Sequence, residues 1–166
     1  MPTRHQGPPQ EVLALDAFIK LVRAAGSVLA CTNRMVAAHG VTVGQFGVLE
    51  SLLHLGPLHQ CDLARKHLQS GGNITMIVDN LEKAGLVRRE RLAEDRRYVR
   101  VHLTDTGRER IAAIFPAHVS VVVERMAVLP LAEQEELGRL CRKLGLGATV
   151  EPAEVSDVAD ALAART

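Results

Sequence analysis

Residues 74–107 read ITMIVDNLEKAGLVRRERLAEDRRYVRVHLTDTG and pass without a break from helical to strand periodicity. Ile74, Ile77, Val78 and Leu81 recur at three- and four-residue steps, which makes one face of a helix apolar. Gly85 follows the last periodic position, where a residue in the left-handed conformation stops a helix. Leu86 to Arg91 and Tyr98 to Leu103 then read as two strands, with 92–97 as the turn between them. The second strand alternates: Val99, Val101 and Leu103 point one way, and Tyr98, Arg100 and His102 the other. A helix followed by a basic β-ribbon is the outline of a winged helix. In that unit the helix enters the major groove of duplex DNA and the ribbon reaches the backbone or the minor groove.

The stretch DNLEKAGLVRRERLAEDRRYVRVHLTDTG also resembles the signature of the multiple antibiotic resistance regulator (MarR) family. There a recognition helix ends in Leu-Glu-Lys-x-Gly-Leu-Val, a wing carries Asp-x-Arg, and a strand leads into Leu-Thr-x-x-Gly. The three pieces stand in order at Leu81 to Val87, Asp95 to Arg97 and Leu103 to Gly107. Upstream, VTVGQFGVLESLLHLGPLHQCDLARKHLQSGG is similar to the two helices that precede the recognition helix, so the resemblance spans residues 10–146. It implies a mainly α fold with a small β-wing: a winged helix-turn-helix core flanked by N- and C-terminal dimerisation helices.

Working outward, the first nine residues hold three prolines and a glycine and are expected to be disordered or extended. A dimerisation helix over 10–40 follows, with Leu15, Phe18, Ile19, Val22, Leu29 and Val36 along one side. Leu21, Val28, Cys31 and Met35 lie off that stripe, so more than one face needs a partner. The DNA-binding lobe occupies 41–104. In it Thr42 is a plausible N-cap for a helix ending near Leu55 at the Gly56-Pro57 break, and a short helix spans Gln60 to His67. The C-terminal dimerisation helices cover 105–146, with Pro116 expected to kink the first and Pro130 to open the second. The tail, 147–166, is acidic, and Val155, Val158, Ala159 and Leu162 have helical spacing. The resemblance implies a homodimer with interleaved terminal helices. Its two recognition helices would read a pseudo-palindrome with half-sites about 34–36 Å apart.

Charge agrees with docking at one face. The net charge of the 166 residues is +1, yet 86–103 holds six arginines against three acids, whereas 151–166 holds four acids and one arginine. With four aromatics (Phe18, Phe46, Tyr98 and Phe115), the chain lacks the stacking platforms of single-strand and RNA modules. No Gly-rich phosphate loop, nucleophile elbow or His-Glu-x-x-His pair suggests an enzyme. A winged helix used only for protein contact is the rival of another class. Three cysteines without framework spacing, no apolar leader and no membrane-length run fit a cytoplasmic protein.

The residues expected at DNA form two groups. Ser70 caps the recognition helix or contacts phosphate, and Gly71 and Gly72 let the backbone approach phosphate at the positive helix end. Asn73 suits adenine, Thr75 a base or phosphate, and Met76 a thymine methyl. Many family members carry a basic residue at the position of Met76. Since 70–80 contains no lysine or arginine, small polar contacts, water and DNA shape must supply specificity there. In the wing, the resemblance implies that Arg97 enters the minor groove, Asp95 orients it, and Arg96 and Arg91 meet phosphates. Arg88 and Arg89 stay ambiguous, because strand arginines often pair with acids such as Glu90.

Family members also bind small aromatic or phenolic anions between the dimer helices and the DNA-binding lobe, which implies a site at Phe46, Leu49, Leu53, His54, Phe115 and His118. Core packing is the competing role for the four apolar ones, and a structural hydrogen bond for the two histidines. Cys61, near the start of a helix whose dipole favours thiolate, is the redox candidate for a thiol-based repressor; Cys31 and Cys141 sit in apolar patterns and read as core. His54, His59, Cys61 and His67 do not have zinc spacing, and no metal or other cofactor is expected.

Overall fold

The computed structural model describes residues 3–91 and 99–147. The order is α1 (Pro9–Ala38), α2 (Val43–Leu55), β1 (Leu58–His59), α3 (Gln60–Lys66), α4 (Gly71–Lys83), β2 (Val87–Arg91), β3 (Val99–Leu103), α5 (Asp105–Met126) and α6 (Leu131–Gly147). A mostly helical chain with a small antiparallel sheet is the fold expected from the sequence.

Residues up to Arg125 form one compact unit. Its core joins Val36 of α1, Phe46, Val48, Leu49 and Leu52 of α2, and Leu63 of α3. Val41 ahead of α2, Ile74, Val78 and Leu81 of α4, Val87 and Val101 of the sheet, and Ile111 and Ile114 of α5 complete it. Each fully buried Leu, Ile or Val contributes about 1.5–3 kcal/mol relative to exposure, which is why the 74–78–81 stripe fixes the rotation of α4. Its caps fix the ends. Ser70 Oγ accepts from Asn73 N at 3.2 Å. At the other end Gly85, with φ 71°, donates to the Glu82 carbonyl at 2.9 Å while Leu86 N reaches the Leu81 carbonyl at 2.9 Å. That pair of bonds closes the helix through a left-handed glycine. At the start of α2, Thr42 and Gln45 form a reciprocal capping box.

The sheet has the order β1-β3-β2, so the wing ribbon gains a third strand: Leu58 pairs with Val101 and His59 with Arg100. Two residues are too few to show an alternation in sequence. In the ribbon Val87 lies opposite Leu103 and Arg91 opposite Val99. The helical assignment of α5 carries through Pro116.

Only the last turns of α1 pack on this core. Thr32 and Val36 are buried, whereas Leu13, Phe18, Val22 and Leu29 stand exposed, Phe18 by 60 %. Residues 3–8 are not helical, and Thr3 N donates to Asp16 Oδ1 at 2.8 Å while His5 Nε2 meets Glu11 Oε2 at 2.8 Å. The second unit begins at Met126. Within it Gln134 Nε2 donates to the Met126 and Leu129 carbonyls at 3.2 and 3.0 Å, tying α6 to the turn before it. No described residue of α6 is buried, and Leu137, Leu140 and Leu144 are exposed along it. Cys141 is therefore exposed and Cys31 half-buried, not core residues, because the helices that carry them have apolar faces uncovered in the single chain. Among the described residues, no single helix is long and apolar enough to cross a membrane.

Candidate nucleic-acid interface

The N-terminal turn of α4 is open. Ser70, Gly71, Gly72, Thr75 and Met76 are exposed and Asn73 half-exposed, while Ile74 between them points into the core. A Cβ on Gly71 or Gly72 would meet nothing within 4 Å, so this helix start is sterically open. Met76 is 56 % exposed, an apolar group on the outer face of the helix.

The polar side chains of this turn are already engaged within the chain. Asn73 Nδ2 donates to Gln69 Oε1. Thr75 Oγ1 donates to the Gly71 carbonyl at 2.7 Å and accepts from Gln60 Nε2 at 2.8 Å. Sequence reading missed Gln60 and Gln69: Gln60 opens α3, Gln69 follows it, both hold residues of α4, and no local pattern signals such a bond.

Arg89 resolves the ambiguity left by the wing arginines. It turns away from Glu90 and reaches α4, with Nη1 at 2.5 Å from Asp79 Oδ1 and 3.0 Å from Glu82 Oε2. Its backbone N donates to Glu82 Oε1 at 2.8 Å. Glu90 faces His102 instead, with 2.7 Å between Oε2 and Nε2. Arg88 and Arg91 are exposed on β2. Asp95, Arg96 and Arg97 lie outside the described residues.

Behind the recognition helix, His67 ends α3 and fills a slot on α2. Its Nε2 lies 3.0 Å from Ser51 Oγ, and a Cβ on Gly47 would come within 2.8 Å of its Cε1. Burial, helped by the neighbouring Lys66 charge, holds its pKa below the ordinary histidine value. Next to it Leu68 adopts φ 49°.

The six residues expected around a small ligand lie on α2 and α5. Phe46 and Leu49 are buried and Leu53 packs against the core. The rings of Phe46 and His118 are 4.7 Å apart, those of His54 and Phe115 4.8 Å in an edge-on contact, and those of Phe115 and His118 6.3 Å. His118 Nδ1 is buried and, among the described residues, has no hydrogen-bond partner. Cys61 is exposed on α3 and lines an open groove of 420 Å³ together with Gln60, Arg65, Gly71 and Thr75. Among the described residues no group of three or more His, Cys, Asp or Glu could hold a metal ion.

Comparison with known proteins agrees with this geometry. Residues 39–97 match the model of the MarR family. The HTH-type transcriptional regulator MhqR of Bacillus subtilis (strain 168) is 35 % identical over 137 residues, covering 81 % of this chain and 93 % of its own length. YkoM of the same organism, an uncharacterized HTH-type transcriptional regulator, is 33 % identical over 133 residues, or 80 % of this chain and 86 % of its own. Sco3205, a MarR family transcriptional regulator from Streptomyces coelicolor solved in complex with DNA, shares the fold with a TM-score of 0.76. At 23 % identity it covers 89 % of this chain and 94 % of that one. The motifs at Leu81–Val87 and Leu103–Gly107, the capped recognition helix they frame and these relatives agree: the chain belongs to the MarR family of DNA-binding winged-helix transcriptional regulators.

Proposed function

We propose that the chain is a homodimeric repressor of a pseudo-palindromic operator, released by a small aromatic or phenolic ligand. The observation that carries the ligand half is His118. A buried ring nitrogen without a partner costs about 1–3 kcal/mol, and this one stands beside the faces of Phe46 and Phe115. A phenol or aromatic acid would stack on those rings and supply the missing hydrogen bond, with His54 on the far edge of Phe115. The uncovered apolar positions of α1 and, separately, of α6 support the dimer. A dimer seated over a promoter blocks polymerase without further contacts, which favours repression. In this reading Ser70, Gly71 and Gly72 meet phosphate, Asn73, Thr75 and Met76 meet base edges, and the wing residues Arg91, Asp95, Arg96 and Arg97 meet backbone and minor groove.

Release follows from linkage: a ligand that prefers a dimer with the wrong recognition-helix spacing lowers DNA affinity by its differential free energy. The competing route is oxidation of Cys61, which lies exposed in the groove beside Thr75. The test is to titrate the complex with the chain's own promoter region, using phenols and aromatic acids, then peroxide and quinones, with wild type and Cys61→Ser. Reversible release by an aromatic ligand in both proteins supports the pocket. Release by oxidants alone, abolished in Cys61→Ser, would replace it with a thiol switch.

A further inference from the structure

We infer that Arg89 is a positioning residue for DNA recognition, which locks the first wing strand to the recognition helix and fixes Thr75 as a hydrogen-bond acceptor. The inference rests on the DNA-binding reading above.

A guanidinium carries five N–H donors in a rigid fork. Arg89 spends four of them inside the chain: Nε on Gln60 Oε1 at 3.2 Å, Nη1 on Asp79 and Glu82, and Nη2 on the Thr75 carbonyl at 3.2 Å. Its side chain is 21 % exposed. An arginine in a basic wing invites assignment to a phosphate, but this one is committed inward. Its partners at 75, 79 and 82 follow one another at four- and three-residue steps, one stripe of α4 facing the sheet. Helix and strand therefore present themselves to DNA as one body.

The second consequence runs through Gln60. Because Gln60 Oε1 accepts from Arg89, its amide nitrogen must point the other way, to Thr75 Oγ1 at 2.8 Å. The single proton of the Thr75 hydroxyl is given to the Gly71 carbonyl. One lone pair remains, so toward DNA Thr75 accepts and does not donate. Arg89 sets that polarity without touching a base. Removing it would free the Gln60 amide to turn and unlatch β2 from the Thr75–Asp79–Glu82 stripe of α4.

The experiment uses the full chain and duplexes enriched from a random-sequence library by wild type. Affinity for enriched and random duplexes is then measured across a salt series for wild type, Thr75→Val, Arg89→Ala, Arg89→Lys and Gln60→Ala, with thermal melting to show that each is folded. Arg89→Ala and Gln60→Ala are expected to lose at least tenfold of the preference for the enriched duplex. They should relax the same base positions as Thr75→Val and keep the wild-type salt slope on random DNA. Arg89→Lys, which keeps the charge but not the fork, should not restore the preference. A fall in slope of about 0.9, the value of one phosphate contact, with equal weakening on both duplexes would overturn the inference in favour of a backbone contact. An unchanged preference in folded Arg89→Ala would also overturn it. If that variant does not fold, Gln60→Ala, which leaves the ion pairs in place, decides alone. Failure of wild type to enrich any sequence would remove the DNA-binding reading itself, and this inference with it.

Discussion

The Thr104 hydroxyl donates to the Gly85 carbonyl oxygen across 2.7 Å, so the residue that starts α5 also closes the turn after the recognition helix. Thr104 Oγ1 in turn accepts from Gly107 N at 2.9 Å, capping α5, and Thr104 N donates to the Leu86 carbonyl at 3.1 Å. The Leu-Thr-x-x-Gly motif is thus a clasp between the recognition helix and α5. Its glycine is a steric requirement, since a Cβ there would collide with the Leu86 carbonyl oxygen and come within 3.2 Å of Leu103 Cδ2.

Two substitutions test the clasp. Thr104→Val keeps the shape but loses both hydroxyl bonds and is expected to cost about 1–2 kcal/mol. Gly107→Ala forces backbone apart and should cost at least about 1–3 kcal/mol. Urea denaturation measures both; a Gly107→Ala midpoint equal to that of wild type would show that the close approach is not there.

Leu68 points to a gain instead of a loss. It occupies the left-handed position after α3, where Leu68 N donates to the Arg65 carbonyl at 3.2 Å and Gln69 N to the Ala64 carbonyl at 2.9 Å. A glycine normally takes that place, because a Cβ there costs roughly 1–2 kcal/mol. The leucine is 93 % exposed and has little packing to lose. Leu68→Gly is expected to raise stability by about 1 kcal/mol, read as a higher denaturant midpoint at unchanged slope.

His67 makes the fold sensitive to acid. Its pKa is depressed in the folded chain by burial first and by the Lys66 charge second, so the unfolded chain binds the proton more readily. Stability from this group is therefore fully present above the unfolded value of 6.5 and is lost as pH falls through the lower folded value. Denaturant midpoints taken from pH 7.5 down to about 5 should fall less steeply for His67→Gln than for wild type. Equal slopes would remove His67 as the cause.

The helix–turn–wing order was legible because its signals are local. The stripe from Ile74 to Leu81 and the stop at Gly85 each depend on residues close in the chain, and both hold in the structure, while in β3 Val101 is the buried residue between half-buried neighbours. What was not legible depends on elements far apart in the chain. β1 is two residues long and exists only through its pairing with β3. Arg89 could be read as a cation but not as a partner of Asp79, because the folding of β2 onto α4, not spacing, brings them together. Cys141 read as core because apolar spacing reports a face that needs covering without saying whether the same chain covers it.

Arg97 is the wing position on which the family motif makes its sharpest demand. Arg97→Ala is expected to weaken binding to the enriched duplex by about 1–3 kcal/mol with the fold intact. A variant that bound like wild type would remove the minor-groove role proposed for it.

Asn73 offers the most direct test of base reading. One hydrogen of its Nδ2 is held by Gln69 Oε1, and its backbone N is held by the Ser70 hydroxyl, so the side chain is oriented before DNA arrives. Nδ2 carries a second hydrogen and Oδ1 keeps its lone pairs, which is what bidentate pairing with adenine requires. Asn73→Ala should therefore reduce discrimination between enriched and random duplexes by about 1–3 kcal/mol and leave affinity for random DNA near wild type. Gln69→Ala keeps the reading group but loosens it, and a smaller loss of the same kind is expected. Equal weakening on both duplexes in Asn73→Ala would instead make the residue a backbone contact. Discrimination would then rest on Thr75, Met76 and the shape of the DNA.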